Sequence, residues 1–225
     1  MNTDKKPPFE RGCPTGAGVC NSQVIIDFKA ISPKDGDLFK ERNPLEVAVQ
    51  LEKAGVFGLS VVTEPKHFGG SLDLLRSIAS SVNLPFILRK DFIKSEDDLR
   101  ETLEYGATHV LLICSMMDNV DEMYEKSLQM GLKPLVEVHT REEMELAKRL
   151  NAEIIGINNK DITILEKDSG TVDLTLELIN LAPKDAFIIS ESGISNRQDA
   201  EKVLQCGANA VLVGTAFWNG NFNLD

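Results

Sequence analysis

The chain has no run of about eighteen consecutive apolar residues, the length a helix needs to cross a bilayer. Its first residues, Met1-Asn2-Thr3-Asp4-Lys5-Lys6-Pro7-Pro8, carry no apolar stretch of the kind found in a secretory signal. Both absences lead to the expectation of a cytoplasmic protein with no membrane partner. Basic charge is short as well: 24 lysines and arginines face 35 aspartates and glutamates, a net charge of -11. Nucleic-acid binding needs a basic footprint for phosphate backbones, so that class is excluded, although a locally basic pocket is not. Histidine and cysteine are scarce, at 3 and 4 residues. His67, His109 and His139 are not paired at ligand spacing and read as structural or solvated. Cys114 and Cys206 fall in or beside apolar segments, while Cys13 and Cys20 lie in a Gly/Pro-rich lead-in without a second ligand pair. Neither a metal, a cofactor nor a disulfide framework is expected.

What is present is a series of apolar runs that end in charge. Val24-Ile25-Ile26 is followed by Asp27-Phe28-Lys29, Leu84-Pro85-Phe86-Ile87-Leu88 by Arg89-Lys90-Asp91, Pro134-Leu135-Val136 by Glu137-Val138-His139, and Phe187-Ile188-Ile189 by Ser190-Glu191-Ser192. Strand candidates end near Lys29, Thr63, Leu88, Cys114, Val138, Ile157, Ser190 and Val213. The segments between them have helical spacing and recognisable ends. Asn43-Pro44 supplies a cap and a first-turn proline, and Thr140-x-x-Glu143 and Ser195-x-x-Gln198 read as capping boxes. Gly55, Gly106 and Gly207 close three helices in the same way, a weak repeat of one β/α unit. Eight strands so connected are best satisfied by closure into a single (β/α)8 TIM barrel, which removes both sheet edges. The expected organisation is a flexible segment over residues 1–22 and one catalytic barrel over 23–225. Only residues 214–225 follow the last strand, so the final helix is expected to be truncated, with the strand covered by Trp218 and Phe222 or by a second subunit of a homodimer.

In parallel sheets the active site lies beyond the carboxyl ends of the strands, so Lys29, Lys90, Glu137 and Glu191 should converge on one mouth. A lysine in a desolvated pocket can donate a proton at neutral pH, and a carboxylate opposite it suits proton shuttling on a carbonyl compound. Gly193, ahead of a helix start, and Gly214-Thr215, after the last strand, have the form of a phosphate cradle, since glycine lets backbone N–H groups approach an anion. Asn158-Asn159-Lys160-Asp161 adds an amide and a further cation. The ligand class is a phosphorylated small molecule.

Taken together, Lys29 with Ser32-Pro33, Leu59-Ser60-Val61-Val62-Thr63-Glu64 with Phe68-Gly69-Gly70-Ser71, Leu88-Arg89-Lys90-Asp91-Phe92, Glu137-Val138-His139, Gly156-Ile157-Asn158-Asn159-Lys160-Asp161 and Ser190-Glu191-Ser192-Gly193-Ile194 resemble the indole-3-glycerol phosphate synthase family of tryptophan biosynthesis, from about Ile25 to Gly214. The resemblance implies a carboxy-lyase barrel that closes, decarboxylates and dehydrates 1-(2-carboxyphenylamino)-1-deoxyribulose 5-phosphate. It implies that Lys90 is the general acid of ring closure, that Lys29 contacts the carboxylate or phosphate, and that Glu137 serves proton transfer in dehydration. Asp27, Asn158, Glu191 and Ser192 belong to the reacting centre. Ser32, Lys160, Gly193, Gly214 and Thr215 hold phosphate, while Pro33, Phe68, Phe92 and Leu165 face the anthranilate ring. The chain departs from the family at Asp27, where a glutamate is usual, and at Lys160, where arginine would give bidentate phosphate contact. It also departs in the absence of an N-terminal extra helix in residues 1–22, and in the segment Glu166-Lys167-Asp168-Ser169-Gly170. These departures keep open a paralogous phosphosugar-binding barrel with a changed substrate or little activity. Phosphoribosylanthranilate isomerase would require a cysteine at the end of the first strand, where this chain has Asp27 and Lys29.

Overall fold

The computed structural model describes residues 18–160 and 171–224. In chain order the elements are β1 (Val24–Phe28), a hairpin β2 (Ile31–Ser32) and β3 (Gly36–Asp37), α1 (Pro44–Lys53), β4 (Gly58–Val62), α2 (Pro65–Phe68), α3 (Leu72–Ser81), β5 (Phe86–Lys90) and α4 (Glu96–Glu104). There follow β6 (His109–Ile113), α5 (Val120–Gln129), β7 (Lys133–Val138), α6 (Arg141–Arg149), β8 (Ile154–Asn158), α7 (Asp173–Leu178), β9 (Phe187–Glu191), α8 (Arg197–Gln205), β10 (Ala210–Val213) and α9 (Thr215–Trp218). β1, β10, β9, β8, β7, β6, β5 and β4 form a closed barrel in that order, all parallel, with β4 pairing back onto β1. This is the single (β/α)8 barrel that the alternation of strands and helices implies.

The period of two along each strand sorts the core into two layers. Val24, Ile26 and Phe28 of β1 pack outward among the helices, in the same cluster as Ile87, Val110, Val136, Ile155, Ile188 and Val211. Ile25 points into the barrel with Phe86, Leu88, Leu111, Leu135, Ile154, Ile189 and Leu212. At the amino-terminal end of the strands Phe57 stacks on Phe187, and Phe86 lies 4.1 Å from the ring of His109. Burial drives the His109 pKa down to about 3, with Lys133 acting in the same direction. His109 is therefore a neutral packing group, as expected of it.

Helix ends recur because one closing device recurs. After α1, Gly55 adopts φ +78° and the amides of Gly55 and Val56 donate to Glu52 and Leu51. The same Schellman pattern closes α4 at Gly106, α5 at Gly131, α6 at Asn151 and α8 at Gly207. Starts follow local chemistry. Asn43 accepts from the Leu45 amide at 3.0 Å ahead of Pro44. Thr140 accepts from Glu143, but the Glu143 carboxylate reaches the His139 amide rather than that of Thr140, so the box is displaced by one residue. At α8 the cap is Asn196 and not Ser195: Asn196 accepts from the Asp199 amide at 3.0 Å while Asp199 accepts from Ser195 N–H at 2.9 Å.

The end of the chain covers the last strand. α9 is a single turn, and Trp218 is buried with its ring 5.2 Å from Phe28 and 4.7 Å from Phe39. Its indole N–H donates to the carbonyl of Asp27 at 2.7 Å, and Phe222 is buried beside it in the same cluster. Arg42 stacks over the indole at 4.7 Å and donates to the Trp218 carbonyl. The described part of the lead-in is also docked: Val19 is buried, its carbonyl accepts from Arg197 at 2.8 Å, and Asn21–Gln23 form a 3-10 turn. Cys20 is disulfide-bonded, which corrects the expectation that the cysteines avoid disulfides, whereas Cys114 and Cys206 are free. Among the described residues no helix is long and apolar enough to cross a membrane.

Candidate active site

The alternation that points Ile25, Leu88, Leu135, Ile154, Ile189 and Leu212 into the barrel also points the residues two or four further on into its carboxyl-terminal mouth. That register collects Asp27 and Lys29 from β1, Lys90 from β5, Glu137 and His139 from β7, Asn158 from β8, and Glu191 from β9. Lys29 and Asp27 are almost fully buried, and Glu137, Asn158 and Glu191 are 0% exposed. A carboxylate without solvent is costly unless it is matched by charge or hydrogen bonds, which makes the cations near these carboxylates part of the site.

Lys90 Nζ stands 3.9 Å from Glu137 Oε2. The other carboxylate oxygen, Oε1, is 3.4 Å from His139 Nε2, and His139 Nδ1 is 3.5 Å from Glu143 Oε2. Burial alone would favour the neutral imidazole, but the nearby carboxylates of Glu143 and Glu137 outweigh it and hold the His139 pKa above its ordinary value. Burial likewise opposes ionisation of Glu143, yet its contacts with His139 keep its pKa below the usual carboxylate range. Asp27 is fixed by the Ser60 hydroxyl, which donates to Oδ1 at 2.7 Å. Glu191 fits because β8 has no side chain at Gly156, two residues before its register partner Asn158: a Cβ at Gly156 would lie 1.8 Å from Glu191 Oε1.

Two cavities open at this mouth and share Asp27, Lys29 and Lys90. One, of about 360 Å³, is mainly apolar and is walled by Val62, Phe68, Phe92, Leu111 and Ile113. Phe68 is placed by α2, whose three leading amides donate to the carboxylate of Glu64, and Lys29 Nζ sits 5.5 Å from the Phe68 ring centre. Phe92 is placed by Asp91, which accepts from its amide at 2.8 Å and is itself anchored by Arg89 and Thr63. Arg89 faces outward from β5 and is saturated by Thr63, Asp98, Thr102 and Glu101.

The other cavity, of about 880 Å³, is polar, with Lys34, Lys160, Ser192, Gly193, Gly214 and Thr215 in its wall. Ser192 and Gly193 both take positive φ, +60° and +69°, so the chain after β9 turns sharply, and a Cβ at Gly193 would meet the Thr171 carbonyl at 2.7 Å. Asn159 holds this turn: its amide nitrogen donates to Ser190 Oγ and to the carbonyls of Glu191 and Ser192, while its oxygen accepts from the amide and hydroxyl of Thr175. Asn158 accepts from the Lys160 amide at 3.0 Å, and its own NH₂ group is buried without a hydrogen-bond partner among the described residues.

Of the residues expected in the site, Asp27, Lys29 and Lys90 line both cavities. Phe68 and Phe92 line the apolar one, and Lys160, Ser192, Gly193, Gly214 and Thr215 the polar one. Glu137, Asn158 and Glu191 are buried outside both linings. Ser32 ends β2, and its hydroxyl donates to Asp35 and accepts from the amides of Lys34 and Asp35 in the turn that follows; Pro33 comes next, and neither lines either of these two cavities. Leu165, Asp161 and the segment 166–170 fall outside the described residues. The sequence did not single out Lys34, and it showed Ser60, Glu64, Asp91, Gly156 and Asn159 only as members of motifs, with no place of their own in the site. The inward parity of β4 could have found Ser60, and the Glu64-Pro65 pair could have found the cap of α2. Among the described residues no group of three or more histidines, cysteines, aspartates or glutamates is arranged to hold a metal ion.

The family model described as "Indole-3-glycerol phosphate synthase" matches residues 17–222. A protein of that name from Thermococcus kodakarensis is 44% identical over 194 residues, covering 86% of this chain and 85% of the relative. One from Aquifex aeolicus is 40% identical over 200 residues, covering 88% and 76%. A solved structure of the N-acetylmannosamine-6-phosphate 2-epimerase from Clostridium perfringens shares the fold, with a TM-score of 0.67, 18% identity and 88% coverage of each chain.

Proposed function

The chain belongs to the indole-3-glycerol phosphate synthase family and is a carboxy-lyase of tryptophan biosynthesis, and we propose that its two joined cavities divide the substrate 1-(2-carboxyphenylamino)-1-deoxyribulose 5-phosphate between them. One observation carries this reading: an apolar cavity and a lysine-bearing polar cavity meet at Lys29 and Lys90. The carboxyphenyl ring occupies the apolar side between Phe68 and Phe92. The phosphate occupies the polar side, where backbone N–H groups around Gly193 and Gly214 and the ammonium groups of Lys34 and Lys160 supply donors and charge. The reacting carbons then lie at the seam.

Lys90 protonates the C2′ carbonyl oxygen as the ring carbon bearing the carboxylate attacks C2′. Loss of carbon dioxide returns the bonding pair to the aromatic ring. Lys29, over Phe68, neutralises the substrate carboxylate before it leaves. Glu137 serves the proton transfers of dehydration next to Lys90, and Asp27, Asn158, Glu191 and Ser192 fix the hydroxyl-bearing carbons. Asp27 is one methylene shorter than the family's glutamate, and Ser60 supports it from β4. Lys160 offers phosphate a point charge where arginine would offer a fork, and Lys34 adds a second cation at the same cavity. Conversion of the carboxyphenylamino-deoxyribulose phosphate into a product with indole fluorescence by the purified chain tests this function.

A further inference from the structure

Proton bookkeeping for the proposed reaction leaves a deficit. Ring closure transfers one proton from Lys90 to the carbonyl oxygen, and decarboxylation releases none. Dehydration takes one proton at the departing hydroxyl and gives one up from the neighbouring carbon, a balance of zero. One proton per turnover therefore has to enter from solvent and reach a lysine whose side chain is 11% exposed, with the fully buried Glu137 beside it.

Resting on that functional reading, we propose that His139 is the entry point: its imidazolium passes the Nε2 proton to Glu137, Glu137 passes it to the neutral amine of Lys90, and solvent reprotonates His139. The two oxygens of Glu137 face different partners, Oε2 towards Lys90 at 3.9 Å and Oε1 towards His139 at 3.4 Å. On the other side of the ring Glu143 Oε2 lies 3.5 Å from Nδ1 as a charge partner and also accepts from the His139 amide. A base oriented by a third group is the usual arrangement for directed proton transfer. His139 has a side chain 15% exposed and Glu143 one that is 16% exposed, so the outer end of the chain of groups meets water while Glu137 does not. Each transfer is a simple exchange: imidazolium and carboxylate give imidazole and carboxylic acid, then carboxylic acid and amine give carboxylate and ammonium.

Among the described residues the titratable groups acting on His139 are Glu137 just before it in sequence, Glu143 from α6 and Lys90 from β5, with Cys114 after β6 near the two carboxylates. Burial pushes the Cys114 thiol up to about 12, helped by Glu143 and Glu137, so it remains protonated and stays out of the exchange. His139 acts on the substrate only through Glu137 and is therefore a positioning and proton-supplying residue.

Lys90 is left neutral by ring closure, so the proton that dehydration needs at the departing hydroxyl already comes through the relay in the first turnover. His139→Gln, followed by indole fluorescence, should therefore form product roughly tenfold or more slowly, with KM unchanged, and should lose the alkaline limb of the kcat profile that the imidazolium sets. An unaltered rate would overturn the proposal. So would a slowed variant that keeps the wild-type alkaline limb, which would mean that His139 only shapes the Glu137 site. Glu143→Gln keeps an oxygen for the His139 amide and serves if His139→Gln does not fold. Loss of its charge should move the alkaline limb of the kcat profile down by about 1 pH unit, and an unmoved limb contradicts the role. Product formation by the wild-type chain in the same experiment reports on the underlying function: without it both readings fall, and with it the two variants alone decide.

Discussion

Gly156 and Glu191 occupy one space inside the barrel: the missing side chain on β8 is where the carboxylate from β9 lies, and a Cβ at position 156 would stand 1.8 Å from Glu191 Oε1. The atom that must yield is the end of a flexible side chain, so the fold can absorb an added methyl while the site cannot. Gly156→Ala should lower turnover at least about tenfold through displacement of Glu191, with a much smaller change in the urea midpoint. Unchanged turnover in a folded variant would remove Glu191 from the reacting centre.

The cover over β1 and β10 gives a stability prediction. Trp218 is 2% exposed, packs on Phe28 and Phe39, and donates to the Asp27 carbonyl. Trp218→Ser removes that packing and leaves the carbonyl unpaired, an expected loss of about 3 to 5 kcal/mol. Urea unfolding measures it, and a loss below about 1 kcal/mol would show that the tail is not the cover.

Phosphate recognition predicts competition. Inorganic phosphate should raise KM without lowering kcat, and Lys34→Ala should weaken both substrate and phosphate. Gly214→Val should obstruct the cavity, because even a Cβ at this position comes within 3.4 Å of Asp27. Inhibition assays indifferent to phosphate would place the anion elsewhere.

The His139–Glu143 pair makes stability depend on pH with a definite sign. The His139 pKa is raised in the folded chain, so its contribution is complete below about 6.5 and fades as pH rises through the higher folded value. The Glu143 pKa is lowered, so its contribution is complete above about 4.5 and fades as pH falls through the lower folded value. The stability difference between wild type and Glu143→Gln should therefore be largest between these pH values and shrink on both sides. A difference that is flat from acid to alkaline pH would show that the pair is not ionised.

Most of the barrel was legible because period-two alternation and a repeated glycine stop are local properties. Strand ends expected at Lys29, Leu88, Val138 and Val213 fall within two residues of those found at Phe28, Lys90, Val138 and Val213. The same alternation identified the side chains at the mouth. The β2–β3 hairpin was not legible, since two-residue strands carry no period, nor was α2, a four-residue helix whose start depends on Glu64. Ser195 and Asn196 are both able caps, and the choice is made by Asp199 at the third helical position. The positioning groups Ser60, Asn159 and Gly156 depend on contacts across strands. A bare last strand motivated the homodimer, and Trp218 and Phe222 supply that cover within the chain.

Turnover of the carboxyphenylamino-deoxyribulose phosphate by wild type and Lys90→Met, followed by indole fluorescence alongside far-UV circular dichroism, decides whether Lys90 is the acid of ring closure. Indole formation by the wild type is expected, with at least about a hundredfold loss in the variant and the fold intact. Near-normal turnover in a folded Lys90→Met chain would contradict that role.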